Sequence, residues 1–261
     1  MPIDTLKRKH IVETCPKLPD DNWLIAVTDG HKFGNLTSRF FKKPFDPLFE
    51  EMMIHSAKSF LSDPCGGEIL AAYIKSDEVS FLFPPFINFL GRYQDKINST
   101  VSSHMTALFT EEMIKGGKKG GRGIFYTDIL VIPTLSEVVD YLTERQLDGY
   151  INQLNSYARS ILGTQEAVNE SSLKMKGIVD LLKGYDTLFE QEKNWRKYGV
   201  LIHRKLQKKH LSSGGELVER RSVIVKRDLG LFKDKNPDLE KLLVESMTPK
   251  MRNSLRQKKL I

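Results

Sequence analysis

Cysteine is scarce in this chain. There are two, Cys15 and Cys65, in 261 residues, with no CxxC pair, and the six histidines are scattered. That argues against a disulfide scaffold and against a structural zinc site. Long apolar runs are missing as well: no stretch approaches the roughly 18–20 apolar residues of a membrane-spanning helix. The opening residues, MPIDTLKRKHIVETCPKLPDDNW, are polar and charged and carry no apolar signal segment. The expectation is a cytoplasmic protein without a membrane partner. No internal repeat is visible. GGKKGGRG at 116–123 lacks the GK[ST] ending and the preceding strand of a P-loop, so it reads as a flexible loop.

Charge is unevenly spread. From Trp195 to Ile261 there are 18 Lys and Arg against 7 Asp and Glu, a balance of +11, while the residues before carry −4. A basic C-terminal third on an acidic body suggests a polyanionic partner, because Lys and Arg gain by displacing counterions from phosphates. A solvated basic tail is the other reading.

The apolar pattern predicts an α+β chain. Leu24 to Val27 read as a buried strand that ends in a turn at Thr28-Asp29-Gly30. A helix follows from Asp46 as N-cap with Pro47 at the first position, and EILAAYI and VSFLF form a hairpin. Phe89, Tyr93, Ile97, Val101, Met105 and Phe109/Met113 are spaced for a second helix, and IFYTDILVIP is a strand closed by Pro133. Strand, helix, hairpin, helix, strand is the order of a ferredoxin-like unit with an antiparallel sheet. A soft boundary near residue 135 separates this unit (1–135) from a smaller helical and β-hairpin region (136–261). In the latter a long helix runs from Ser136 to about Leu162, a shorter one from Leu173 to Tyr185, and two strands flank SSGGE. Residues from Lys233 onward read as polar, helical or loose.

Lys75-Ser76-Asp77-Glu78 interrupts two strands that want to be buried. Tight turns favour residues tolerant of positive φ, and Glu78 is not one. In a ferredoxin-like sheet the first strand and the central hairpin are neighbours, so Asp29 and Asp77 would meet at one sheet edge. Mg²⁺ takes such carboxylates together with waters and substrate phosphates, and two ions can hold both oxygens of a phosphoryl transfer. Spacing alone leaves this reading open beside that of solvated turn acids.

TDGHKF, KKPFD, KSDEVSFLF and YLTERQLDGYINQLN occur in the order and spacing of a known family. Over roughly residues 22–205 the chain resembles the tRNA(His) guanylyltransferases, which include guanylyltransferase-like proteins that repair tRNA 5′ ends. The resemblance implies a palm-like domain for residues 1–135 and 3′-to-5′ nucleotide addition with two Mg²⁺ ions, ATP and GTP. It implies Asp29, Asp77 and the Gly30 carbonyl as metal ligands, with Glu78 as a catalytic acid that supports them or binds more weakly. It also implies backbone contacts from Gly30, His31, Lys32, Phe33 and Gly34 to a triphosphate, and contacts from Lys43, Asp46, Ser76 and Lys96 to the nucleotide. Arg145, Asp148 and Asn152 match a polar helix face of the family. Structurally, Asp46 could simply cap its helix, Lys96 could be solvated, and Arg145 and Asp148 could be an i,i+3 pair. Homodimers or homotetramers are a further implication.

The chain departs from the family at several positions. Val27-Thr28 stands where an Arg is usual, and Gly34 where a His is. Phe125-Tyr126-Thr127-Asp128 replaces Phe-Asp-(Gly/Ala)-Arg, and Tyr150-Ile151-Asn152 replaces His-Ile-Asn. The expected activity is Mg²⁺-dependent nucleotide addition to a tRNA 5′ end. Arg145, Asn152, Lys208, Lys209, Arg220, Arg221, Lys226 and Arg227 are expected to hold the RNA. Two rivals remain: a nucleotidyl cyclase-like palm enzyme acting on free nucleotides, and a catalytically decayed RNA-binding protein.

Overall fold

The computed structural model describes residues 16–162, 189–210, 217–232 and 236–261. Six strands, β1 (Trp23–Gly30), β2 (Ala71–Lys75), β3 (Glu78–Phe83), β4 (Phe125–Ile132), β5 (Val200–His210) and β6 (Leu217–Lys226), form one sheet. Their order is β4-β1-β3-β2-β5-β6, and every pair is antiparallel. The first four strands have the ferredoxin-like arrangement. β5 and β6 come from beyond residue 135 and continue the same sheet, with Ala72 opposite Ile202. The line at 135 thus divides the chain in sequence and not the sheet.

Both faces of the sheet are covered, which is why Trp23 to Ala26 and Phe81 to Phe83 are apolar without alternation. One face, with Leu24, Ala26, Phe81 and Phe83, packs on α2 (Pro47–Ser62) and α3 (Gln94–Lys115). The other, with Trp23, Ile25, Tyr73 and Leu82, packs on α4 (Leu135–Leu162), and on α6 (Pro237–Ser246) and α7 (Pro249–Gln257) from the C-terminal end. Short helices α1 (Phe33–Phe40) and α5 (Asn194–Tyr198) flank the sheet end.

Three helices start by one rule. Asp46, Asn236 and Thr248 each accept a hydrogen bond from an amide of the first turn, and a proline follows at once. Pro has no amide to orphan there, and its fixed φ suits the helix. Residues beyond 236, expected to be loose or helical, are therefore two capped helices. The helix expected from Phe89 begins instead at Gln94. Leu90, Gly91 and Arg92 have φ of 53°, 69° and 58°, which no right-handed helix accommodates, so Phe89–Arg92 forms a separate tight turn. The helix expected at 173–185 and the SSGGE turn lie outside the described residues. No helix among the described residues is long and apolar enough to cross a membrane.

Candidate active site

β1 outlasts its partner. Its pairing with β3 ends at Thr28 opposite Val79, while its pairing with β4 runs on through Asp29–Tyr126 to Gly30–Phe125. The turn expected at Thr28-Asp29-Gly30 is therefore strand, because β4 supplies a ladder to its end. The bend between β2 and β3 consists of Ser76 and Asp77 alone. Ser76 takes the left-handed conformation (φ 57°), and Lys75 and Glu78 pair across the strands. Glu78 thus never has to adopt positive φ. Asp29, Asp77 and Glu78 all line one open cavity of about 410 Å³.

The three carboxylates have different partners. Arg145 of α4 holds Glu78 through both its Nε and its Nη2. Asp77 accepts from the Ser76 hydroxyl at 3.0 Å, and Asp29 from the Tyr126 hydroxyl at 2.6 Å. Among the described residues neither aspartate has a cation within ion-pair distance. Burial pushes the Asp77 carboxyl above its ordinary range, and the charge of Asp29 adds to this. Burial also raises Glu78, and Arg145 opposes it. Asp29 pushes the Tyr126 phenol up to about 12 by accepting its hydrogen bond. Two neighbouring acids that lack a positive partner fit a divalent cation, since hard ions prefer carboxylate oxygens.

The chain leaves β1 at a tight passage. A Cβ on Gly30 would lie 2.3 Å from the Phe33 ring, so only glycine fits. Gly30→Ala is expected to cost about 1–3 kcal/mol through this overpacking, read from urea unfolding. Phe33 is a core residue, packed on Phe49, Phe109 and Phe125. It can offer a nucleotide only its backbone. The His31 amide is already spent on the Ile124 carbonyl at 2.7 Å, which removes it from the expected cradle. Lys32 is the N-cap of α1, so the amides of Phe33 and Gly34 stand in the first turn, where helix geometry provides no carbonyl four residues back. Of these five residues, Phe33 and Gly34 line the cavity.

Lys43, Asp46 and Ser76 also reach the cavity. The Lys43 ammonium donates to Thr37 Oγ1 at 2.6 Å, which fixes it over α1. Asp46 caps α2 through Leu48 and also accepts from the Lys42 amide at 2.8 Å. Lys96 is not among the lining residues; its ammonium sits 4.7 Å from the Tyr93 ring centre. Arg145 and Asn152 line the cavity from α4, and Asp148 lies 3.7 Å from Arg145.

The basic hairpin divides. Lys226 is exposed, but Arg227 is clasped by both oxygens of Glu51 on α2, and Arg221 is half-buried with an unpartnered Nε. Those two arginines have structural surroundings that a charge count does not reveal. Lys208, Lys209 and Arg220 lie on β5 and β6, opposite Glu219, Val218 and Gln207.

One group on the cavity wall was not foreseen. Lys75, next to the turn, is buried and donates to the carbonyls of Arg196 and Lys197, both at 2.7 Å. Gly149 of α4 makes room, since a Cβ there would meet the Lys75 stem at 2.4 Å. Burial pushes Lys75 down to about 7, against the pull of Glu50, and burial pushes Glu50 up to about 7, against Arg196. Between about pH 7 and 10 the unfolded chain holds the Lys75 proton and the folded chain does not. Raising the pH through that window therefore favours the folded state. Urea unfolding from pH 7 to 9.5 should show this rising stability in the native chain and lose the slope in Lys75→Met. Only the tertiary approach of α4 and α5 buries this lysine, so nothing local in the sequence marks it.

Residues 7–129 match the family model described as tRNAHis guanylyltransferase. The tRNA(His) guanylyltransferase of Debaryomyces hansenii is 26% identical over 221 residues, covering 79% of this chain and 82% of that protein. The Neurospora crassa enzyme of that name is 26% identical over 192 residues, 69% of this chain and 61% of that protein's length. Over residues 7–129 the chain is similar to the tRNAHis guanylyltransferase family. Its fold is that of solved family members. A bacterial guanylyltransferase-like protein in complex with ATP superposes with a TM-score of 0.75 at 21% identity, over 93% of this chain and 99% of that one. The Saccharomyces cerevisiae enzyme gives 0.68 at 21% identity, over 76% and 91%. The palm-like α+β architecture is thus shared with these structures well beyond the segment that the family model matches.

Proposed function

We propose that this chain is a nucleotidyltransferase that adds nucleotides to the 5′ end of a tRNA in the 3′-to-5′ direction, with Mg²⁺. The observation that carries the reading is the pair Asp29 and Asp77 in one cavity, partnered by hydroxyls rather than cations, beside Lys43 and the first turn of α1. These two carboxylates, with the Gly30 carbonyl, would hold the Mg²⁺ ions, which when bound lower the pKa of the attacking hydroxyl and neutralise phosphate charge. Lys43 and the amides of Phe33 and Gly34 bind phosphate oxygens. Arg145 neutralises Glu78, so the third acid adds little repulsion where a polyphosphate must enter. The 3′-hydroxyl oxygen of the incoming nucleotide bonds to the 5′ phosphorus of the RNA as it loses its proton. Pyrophosphate leaves from a triphosphorylated end, or AMP from an adenylylated one. Names of family members and complexes with ATP and GTP support tRNA and nucleoside triphosphates as substrates.

The test is incubation of the protein with a 5′-truncated tRNA transcript, labelled nucleotides and Mg²⁺, with product length read on a gel. Products longer than the transcript are expected. Binding of RNA without extension would overturn the reading in favour of a decayed enzyme, and conversion of free nucleotide alone would do so in favour of a cyclase-like one.

A further inference from the structure

We propose that Asp63, Cys65 and His104 form a site for a thiophilic divalent cation of the Zn²⁺ kind, separate from the cavity of Asp29 and Asp77. One ligand atom from each lies within 4.8 Å of the other two. None of the three lines that cavity. A tetrahedral Zn²⁺ with bonds of about 2.0–2.3 Å holds its ligands roughly 3.3–3.8 Å apart, so a small rotation of exposed Asp63 closes the set.

Two features prepare the ligands. The first is the histidine's tautomer. His104 Nδ1 lies 2.9 Å from the Thr100 carbonyl, which can only accept, so Nδ1 carries the proton and Nε2 keeps its lone pair. Metal-bound histidines show this same arrangement, one nitrogen donating to a backbone carbonyl and the other ligating. Phe60, stacked on the imidazole at 4.9 Å and 23°, fixes the ring plane. The second is the loop. Asp63 ends α2, and its Oδ1 accepts from the Cys65 amide at 2.7 Å, which leaves Oδ2 free of that bond. The guanidinium of Arg204 donates to the carbonyls of Leu61, Gly66 and Ile69 and so clamps the segment on both sides of Cys65.

The donor set selects the metal. A thiolate, an imidazole and a carboxylate suit Zn²⁺ and its borderline-soft relatives and do not suit Mg²⁺. Three protein ligands leave a fourth position to water, so the site exchanges its ion more readily than a closed structural one. Burial and the Asp63 charge raise the Cys65 thiol. Binding accordingly replaces the S–H bond by a metal–sulfur bond and releases one proton.

Co²⁺ is the probe, because a cobalt–thiolate bond gives a charge-transfer absorption that oxygen ligands cannot. Titrated into the metal-stripped, reduced full chain, Co²⁺ should produce this band with saturation at one equivalent, and Zn²⁺ should bleach it. Cys15→Ser should keep the band and Cys65→Ser should lose it. His104→Ala and Asp63→Asn should each weaken Co²⁺ binding by about tenfold or more. Asp63→Asn retains the acceptor for the Cys65 amide and so tests the ligand without removing the loop contact. Absence of the band in the native chain, its survival in Cys65→Ser, or full affinity in Asp63→Asn would overturn the proposal.

Discussion

Asp77→Asn is expected to lose nucleotide addition by about 10³-fold or more, about 4 kcal/mol of transition-state stabilisation. Its thermal midpoint should stay unchanged or rise. The two effects have one cause. Asp77 is held where burial and the charge of Asp29 both disfavour its ionised form, and only Ser76 and its own amide, with Lys43 further off, offset that. An asparagine keeps the shape and the Ser76 contact but removes the repulsion. It equally removes the negative oxygen that a divalent ion needs. Sites that bind ions through crowded carboxylates commonly trade stability for function in this way. Extension of a 5′-truncated transcript and a thermal melt on the same preparation check both halves. An Asp77→Asn protein with native extension rates would remove the metal assignment. One that melted well below the native protein would show that Asp77 is structural instead.

Arg204→Met should cost about 3–5 kcal/mol of stability, measured by urea unfolding, with no loss at the reacting atoms. Arg204 is 7% exposed and donates at 2.7, 2.5 and 2.9 Å to three backbone carbonyls, and no carboxylate neutralises it among the described residues. Burial and the charge of Arg221 lower it to about 10, so it stays charged at neutral pH. Methionine fills the space of the stem but takes the guanidinium from the carbonyls of Leu61 and Ile69 in a region closed to water, while the Gly66 carbonyl keeps the Ile69 amide at 3.0 Å. Each such orphan costs on the order of 1–3 kcal/mol, less what relaxation recovers. Arg204→Lys should fall between, since an ammonium cannot span the three oxygens as a planar fork does. A loss under about 1 kcal/mol in Arg204→Met would mean that water replaces the guanidinium.

What could be read from the sequence was local, and what could not was made by distant packing. The strand at Trp23 and the helix at Pro47 announce themselves through an apolar run and a cap, which act within a few residues. The hairpin is visible because Ser76 and Asp77 break two apolar runs. Asp29 and Asp77 could be named because a ferredoxin-like order makes their strands neighbours. The left-handed residues Leu90 and Arg92 left no mark, because neither belongs to a type that favours positive φ. The joining of β5 to β2 was hidden too, since the strand pattern of VLIHRKL does not state its partner. Lys75 reads as a surface lysine until Arg196 and Lys197 present their carbonyls. Arg145, which matches the polar helix face of the resembled family, also binds Glu78, a partner that no local pattern announces. The Asp63, Cys65 and His104 cluster leaves no spacing motif in the sequence, because its imidazole comes from another helix.

The late arrival of β5 has a consequence for making the protein. A ribosome releases β2 long before Val200 to His203, the residues that occupy its outer edge. Meanwhile Ala71 to Ile74 present an apolar strand with unpaired amides, a template for any extended neighbour. Translation slowed between residues 83 and 200 is therefore expected to send more of the product into inclusion bodies, read as the soluble fraction after expression.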